Sequence, residues 1–406
     1  MASLKYWLWL TTRRGLSYPG VLPLVERFGT PEALYFADPG EYELLGKEHG
    51  LLRESLLDKS LDGAERILGE CDRLGLRLLT ISDGDYPDRL KNIPGPPAVL
   101  YVKGRLFDFD EEIAVAVVGS RDPSAYGVRM AGKLGLELAR HGALVVSGIA
   151  KGLDTEALKG ALKGGGPVVS VVAGGVDVPY PHENRFLYED VAAAGALLSE
   201  YPPGTPNAGD HFPVRNRIIS GLSLGVVAVE CRRKSGTMLT IDHALDQDRD
   251  VFAVPGPADS PMSEGPNSLI RRGAVLVTRG WDVVEEYADR FPGRAKRPAP
   301  LTEAAVEARL EPAQAPAQPV AEAKLTEKAP PKPVVDLDDP KLGFTDDQKD
   351  LLAALGDKKR LADELVEAAQ IPAKRVLSAL TMLQVKGYVA EHPGKRFEAL
   401  VRVKTD

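Results

Sequence analysis

Two cysteines in 406 residues, Cys71 and Cys231, are too few for a disulfide framework and leave too few thiolates for a structural zinc site. No apolar run approaches the ~18–20 residues that a membrane helix needs. The opening stretch, MASLKYWLWLTTRR, has an apolar core shorter than a signal-peptide h-region and is closed by arginines instead of a small-residue cleavage site. A soluble protein of the reducing cytoplasm is the expectation. Excess positive charge is also missing: the formal net charge is -7, which excludes a protein that coats nucleic acid with its whole surface but not one that gathers cations locally. Between Thr205 and Gly236, five Lys or Arg stand against two Asp or Glu, so this window is positive inside an acidic chain.

Catalytic signatures are equally scarce. The six His are scattered, there is no HExxH, and no GxSxG elbow follows an apolar run. GVRMAGKL, residues 127–134, comes close to a P-loop, but Leu134 stands where a Ser or Thr would hold magnesium, and the segment lies inside a helical pattern. No strict GxGxxG is followed by a ribose-binding acid, so a nicotinamide cofactor is not expected, and nothing calls for a metal. Asp154, Asp177 and Glu200 follow apolar runs and read as groups that cap helices or position basic side chains.

What is present divides into four regions. Residues 1–75 carry short amphipathic helical segments punctuated by Pro and Gly, a small N-terminal all-α (SAM-like) domain. Residues 76–290 alternate β-branched runs (AVLYVKG, IAVAVVGS, LVVSG, VVSVVA, ALLSE, VVAVE, VFAVPG, AVLVT) with longer helical stretches. Such near-continuous runs belong to a mostly parallel sheet buried on both faces, the Rossmann-like, doubly wound α/β class. Ten of the 32 prolines fall between Pro292 and Pro340, so 291–342 reads as a Pro/Ala-rich linker. Residues 343–406 have three segments of helical spacing and then strands joined by Pro-Gly, the pattern of a C-terminal winged-helix domain. Lys374 and Arg375 open its third helix, and Lys395 and Arg396 stand in its wing.

In doubly wound sheets ligands sit outside the carboxyl ends of the strands. Those ends read GSR, SGIAKG, AGGVDVPYP, SEYPPG and ECRRKSGT, a composition of glycine, serine and cations suited to phosphates. The rim set is Ser120 and Arg121; Gly148, Ile149, Ala150, Lys151 and Gly152; Gly174; and Ser235, Gly236 and Thr237. FPVRNRIISGLS adds Phe212, Arg215, Asn216 and Arg217, the arginines in the first turn of a helix whose Ile218, Ile219 and Leu222 are buried. Arg121, Lys151, Arg215 and Arg217 have no acidic partner in their own turns. Phe212, Tyr180 and Phe186 lie beside these cations as faces on which bases could stack.

Taken in order, VAVVGSR, SGIAKGLD, VVAGGVDVPYPHENRFL, LLSEYPPG, HFPVRNRIISGLS, VVAVE, KSGTMLT, RDVFAVPG and GPNSLIRRGA resemble the DprA family of bacterial DNA-processing proteins, densely over residues 86–274. The resemblance implies a single-stranded DNA-binding recombination mediator of natural transformation, without catalysis. It also implies that the protein dimerises through its Rossmann-like domain and loads the RecA recombinase. It assigns DNA contacts to Arg121, to the SGIAKG backbone with Lys151, to Arg185 after the YPxxN motif, and to Arg215–Arg217. Leu158 stands where the family often has His, which weakens any nucleotide-handling role for that helix. Two other readings stay open at this point: an enzyme acting on a nucleotide phosphate, and a winged-helix regulator with a ligand-sensing Rossmann-like domain. The winged helix itself could take duplex DNA or a protein partner.

Overall fold

The structure, a computed structural model, describes residues 4–298 and 332–404, except 17, 44, 46–48, 338, 341, 357 and 393–395. The bulk of the proline-rich linker and Lys395 of the wing lie outside the described residues. The chain falls into two compact units, Met1–Pro300 and Leu301–Asp406.

Among the described residues the first unit opens with six α-helices: α1 (Leu4–Thr11), α2 (Val21–Phe28), α3 (Pro31–Phe36), α4 (Pro39–Glu43), α5 (Gly50–Leu57) and α6 (Asp62–Leu74). Residues 6–10 of α1 are all buried, as expected of a helix that is apolar around its circumference and sits at the centre of its layer. Its Trp9 Nε1 donates to the Asp58 carbonyl at 2.8 Å, tying α1 to the residues that follow α5. Trp7, Leu8 and Trp9 belong to the same buried cluster as the strands that follow, so the core of the helical layer runs without a break into that of the sheet.

Nine strands follow among the described residues of this unit: β1 (Arg77–Thr80), β2 (Val99–Gly104), β3 (Ala114–Val118), β4 (Leu144–Ser147), β5 (Val168–Val171), β6 (Ala196–Ser199), β7 (Gly225–Ala228), β8 (Asp250–Ala253) and β9 (Val275–Leu276). Each long apolar run of the sequence is one of these strands; β1, with one exposed and one half-exposed residue in four, left no such signal. Their order is β1-β2-β6-β5-β4-β3-β7-β8-β9. The seven from β6 to β9 are parallel, and β2 runs antiparallel to both β6 and β1. All five residues of β3 are buried, as a central strand covered on both faces requires.

The crossover helices are α8 (Ala125–Arg140), α9 (Leu153–Lys163), α10 (Arg185–Ala194), α11 (His211–Leu222) and α12 (Gly236–Asp246), while α7 (Asp88–Lys91) precedes β2, α13 (Glu264–Arg271) lies between β8 and β9, and α14 (Trp281–Val284) closes the unit. Helix α9 packs on α8 and α10, and α11 packs on α12. Right-handed crossovers put these two groups on opposite faces. From β3 the chain winds one way through β4, β5 and β6, then returns to β7 on the other side of β3. The loops after β3 and β7 therefore diverge and leave a crevice between them.

The second unit has its own core around Leu351, Leu365, Leu380 and Phe397. It contains α15 (Asp346–Leu355), α16 (Ala362–Ala369), α17 (Ala373–Val385) and a sheet in the order β11-β13-β12, with β11 at Arg360–Leu361, β12 at Val389–His392 and β13 at Arg396–Ala399. Three helices and a small sheet are the winged helix read from the sequence. Thr345 and Gln348 form the capping box that starts α15. Strand β10 (Val334–Val335) pairs with β14 (Arg402–Val403), so ordered pairing begins inside the stretch whose composition reads as linker. Among the described residues no helix is long and apolar enough to cross a membrane.

Candidate nucleic-acid interface

The crevice at the carboxyl ends of the strands is an open cleft of about 590 Å³. The loop after β3 supplies Ser120 and Arg121, the loops after β4 and β5 supply Ala150 and Tyr180, α11 supplies Phe212, Arg215 and Asn216, and the start of α12 supplies Ser235, Gly236 and Thr237. Nine of the expected rim residues thus line one space. Arg121 is exposed, forms no ion pair among the described residues, and lies 4.8 Å over the Phe212 ring. Tyr180, half exposed, approaches the same ring at 5.5 Å and 53°. One exposed cation and two aromatic faces thus stand together on this wall.

Helix α12 begins without a side-chain cap on its first amides, and Gly236 is exposed. Its first N–H groups have no intrahelical partner and carry the positive end of the helix dipole. Arg232, Arg233 and Lys234, all exposed and without ion pairs among the described residues, lie just ahead of it. Reading only Ser235–Thr237 as the site passed over these three, although their signal was plain in the sequence: three consecutive cations entering a Ser-Gly-Thr helix start.

The structure corrects the reading of the two arginines in FPVRNRIISGLS. Both are buried, Arg215 at 4% exposure and Arg217 at 1%. Residues two apart on a helix point about 200° apart, and α11 is enclosed on both of those sides. Arg217 runs under the helix, where Nη2 donates to both Glu200 carboxylate oxygens at 2.7 and 2.8 Å, Nε to the Gly95 carbonyl at 2.9 Å, and Nη1 to the Val214 carbonyl at 3.1 Å. It is an internal strut between α11, the end of β6 and the turn before β2, and it does not line the cleft.

Arg215 reaches the floor of the cleft, where Nη1 donates to the Gly148 carbonyl at 2.8 Å and to the Val171 carbonyl. It therefore grips the SGIAKG loop. That loop holds Ile149 at φ 53°, a left-handed conformation that a β-branched residue rarely adopts, with its side chain fully buried. Such a residue costs about 1–3 kcal/mol and persists only where its surroundings over-determine it. The surroundings here are four hydrogen bonds: Arg215 to the Gly148 carbonyl, Asn184 Nδ2 to the Ile149 carbonyl at 2.9 Å, Thr155 Oγ1 to the Ala150 carbonyl at 2.7 Å, and the Gly148 N–H to Asp154 Oδ2 at 3.0 Å. A Cβ on Gly148 would meet the Arg215 guanidinium at 2.6–2.7 Å, which explains the glycine. Gly152, at φ 89°, makes the second turn of the loop.

The Gly148 amide, expected to face a phosphate, is thus spent on Asp154. Burial pushes the Asp154 carboxyl up, while the charge of Arg215 and the amide bond pull the other way. Burial likewise lowers Arg215, with Asp154 opposing it. Of the acids read as helix caps or partners of basic side chains, Glu200 holds Arg217, while Asp154 accepts from the Gly148 N–H at 3.0 Å and Asp177 from the Gly204 N–H at 2.9 Å, both loop amides. Glu230, also buried, accepts from the Ser124 hydroxyl at 2.6 Å and fastens the start of α8.

The remaining expected residues lie outside the cleft lining. Lys151 is exposed and pairs with Asp122 at 2.9 Å, a solvent-facing pair of the kind that exchanges readily for another anion. Arg185 opens α10 and covers the exposed Phe186 ring at 4.5 Å. Gly174 is buried, its carbonyl accepting from Ser199 Oγ at 2.7 Å. Leu158, where the resemblance leads one to look for His, is wholly within the core.

The model of the family "DNA recombination-mediator protein A" matches residues 77–288, the whole span from the first residue of β1 past α14, and the "DprA winged helix domain" model matches residues 311–395. The chain belongs to the DNA recombination-mediator protein A family. Among its relatives, the DNA processing protein DprA of Bacillus subtilis is 41% identical over 225 residues, 55% of this chain and 76% of that protein. Protein Smf of Synechocystis is 30% identical over 402 residues, 97% of this chain and 98% of its own length, so the similarity takes in both outer domains as well. The X-ray structure of DNA processing protein A from Streptococcus pneumoniae superposes with a TM-score of 0.63 at 33% identity, covering 70% of this chain and 97% of that one. Membership in the family makes a DNA-processing protein of the chain.

Proposed function

We propose that this protein binds single-stranded DNA in the cleft between β3 and β7 and acts, without catalysing a reaction, as a recombination mediator in natural transformation. The observation that carries this reading is the company at the uncapped start of α12: Arg121, without an ion pair among the described residues, beside the Phe212 and Tyr180 rings in an open groove, with the exposed Arg232–Lys234 just ahead of that helix in the chain. Backbone amides and cations hold phosphates, and aromatic faces accept unpaired bases at about 1–3 kcal/mol each, irrespective of sequence. Of the acids near the groove, Asp154, Glu200 and Glu230 are engaged by Gly148, Arg217 and Ser124, and Asp122, on the cleft lining, pairs with Lys151.

The contact set proposed is Ser120, Arg121, Ala150, Lys151, Phe212, Asn216, Ser235, Gly236 and Thr237, extended by Arg232–Lys234, with Arg185 and Phe186 as a platform beyond the cleft. Arg215, Gly148, Ile149 and Gly152 shape the loop from within. Homodimerisation, protection of incoming strands, loading of RecA and a cytoplasmic location follow from the family resemblance. The test is fluorescence anisotropy of the full chain with labelled single-stranded and duplex oligonucleotides at two salt concentrations, alongside a nucleotide panel assayed for turnover. Tight, salt-sensitive, sequence-tolerant binding of single strands is expected, reduced at least about tenfold by Arg121→Glu. Undiminished affinity in that variant, or nucleotide turnover, overturns the reading.

A further inference from the structure

The winged helix presents an outward helix face at odds with a duplex-reading role. On α17, Val376, Ala379, Leu380 and Leu383 are buried in the unit's core. The opposite face, an arc of roughly 140° on an ideal helix, carries Lys374, Leu377, Ser378, Thr381, Met382 and Val385. All six are exposed, and the three apolar ones strongly so: Leu377 at 54%, Met382 at 47% and Val385 at 77%. A helix that enters a major groove offers donors and acceptors to base edges and cations to the flanking phosphates. Here the middle of the stripe offers hydrocarbon, a thioether and two hydroxyls. Arg375, which could reach a phosphate, is committed through Nε and Nη2 to the two Asp347 oxygens at 2.9 and 2.6 Å.

The charges at the ends of the stripe narrow what covers it. Lys374 at one end, and Lys386 just past the other end and about 120° around the helix from it, are both exposed, and neither meets a carboxylate among the described residues; Lys386 Nζ donates to the Gly343 carbonyl at 3.2 Å and lies 5.6 Å over the Phe344 ring. A second copy of α17 fits poorly, because the antiparallel pairing that matches Leu377 with Val385 brings Lys374 of each copy to within two residues of the other copy's Lys386 along the helix and offers neither lysine a carboxylate. An amphipathic helix with an apolar stripe and carboxylates at both ends meets apolar with apolar and each lysine with an opposite charge. We propose that the exposed face of α17 is a protein-docking surface for such an acid-flanked helix of a partner protein, and that it does not read duplex DNA.

The surface needs no part of the strand-binding cleft, and the two are separable in one set of measurements on the full chain. The probes are a labelled helical peptide with a leucine stripe between glutamates, the same peptide with lysines in place of the glutamates, a labelled duplex and a labelled single strand. Expected is binding of the glutamate-flanked peptide, weakened about tenfold or more by Leu377→Asp or Val385→Asp, as for the anchor of a small interface. Lys374→Glu with Lys386→Glu should reverse the preference between the two peptides, a switch that a merely structural role would not produce. Single-strand and duplex affinities should be unchanged in all these variants, and because the altered side chains are exposed, circular dichroism and melting should be too. The proposal is overturned if neither peptide binds, if the charge reversal leaves their order unchanged, or if Leu377→Asp weakens the duplex complex instead. Covalent dimers formed on oxidation of Thr381→Cys would overturn it in favour of self-pairing.

Discussion

Arg215→Met separates a cation that grips the SGIAKG loop from one that touches DNA. Methionine keeps most of the length and apolar bulk but removes the donors to the Gly148 and Val171 carbonyls. Each buried acceptor left unpaired costs about 1–3 kcal/mol. Asp154 also loses the charge that holds its carboxyl down, and removing one partner from buried opposite charges typically costs about 3–5 kcal/mol in all. The two estimates overlap, so a total near 3–5 kcal/mol is expected, against a whole stability of about 5–15 kcal/mol. All three tryptophans, Trp7, Trp9 and Trp281, lie in the first unit, so their fluorescence in a urea titration reports that unit alone. The midpoint should fall by more than about 1 M. The deficit should also depend on pH. A carboxyl raised in the folded state binds its proton more tightly there, so its favourable contribution is fully present below the ordinary value of 3.8 and is lost as pH rises through the folded value. Without Arg215 that folded value climbs further, so the deficit against the unaltered protein should shrink as pH is lowered from 8 to about 5. Asp154→Asn in the Arg215→Met background should recover part of the loss, with a coupling of about 1–3 kcal/mol. An Arg215→Met protein of unchanged stability at both pH values whose affinity for single-stranded DNA has collapsed would refute the loop-clamp reasoning and return Arg215 to the DNA contacts.

Three further outcomes are expected. Gly148→Ala drives a methyl into the Arg215 guanidinium at 2.6–2.7 Å, which should destabilise the first unit by about 1–3 kcal/mol and lower its melting temperature. Reversing Arg232, Arg233 and Lys234 together to Glu should leave melting unchanged and reduce the slope of log affinity against log salt by about 2–3; an unaltered slope would remove these cations from the strand's path. Cys71 and Cys231 are buried with their thiols pushed up to about 11, so a disulfide reagent at pH 8 should label neither until denaturant is added.

The sheet was legible because burial on both faces writes itself as unbroken β-branched runs, and the cleft at its strand ends was legible because such sheets open a crevice where their crossovers diverge. The winged helix was legible through helical spacing and the Thr345 cap. Whether a given arginine was inside or outside could not be read. Arg217 looked unpartnered because its own turn has no acid, yet Glu200, 17 residues earlier, is brought to it by the end of β6. Arg215 finds its acceptors 67 and 44 residues away. Local sequence reports the charge of a side chain and its helix but not what the crossover before it has carried within reach. The SGIAKG motif likewise advertised free amides, and only the fold reveals that the first of them is turned inward to Asp154. Arg232–Lys234 were visible in the sequence as three consecutive cations, and the structure adds that all three are exposed.

The unbroken core between the amino-terminal helices and the sheet bears on how this protein can be cut or shuffled. Helix α1 lies against β2, and Trp7, Leu8 and Trp9 share a cluster with Leu79, Leu100 and Tyr101. A chain trimmed after Leu74 would therefore bare an apolar flank of β1 and β2 instead of shedding an independent module. The helical layer and the sheet share one core and form one compact unit, whereas the winged helix has a core of its own and is the part that could be exchanged without unravelling the rest.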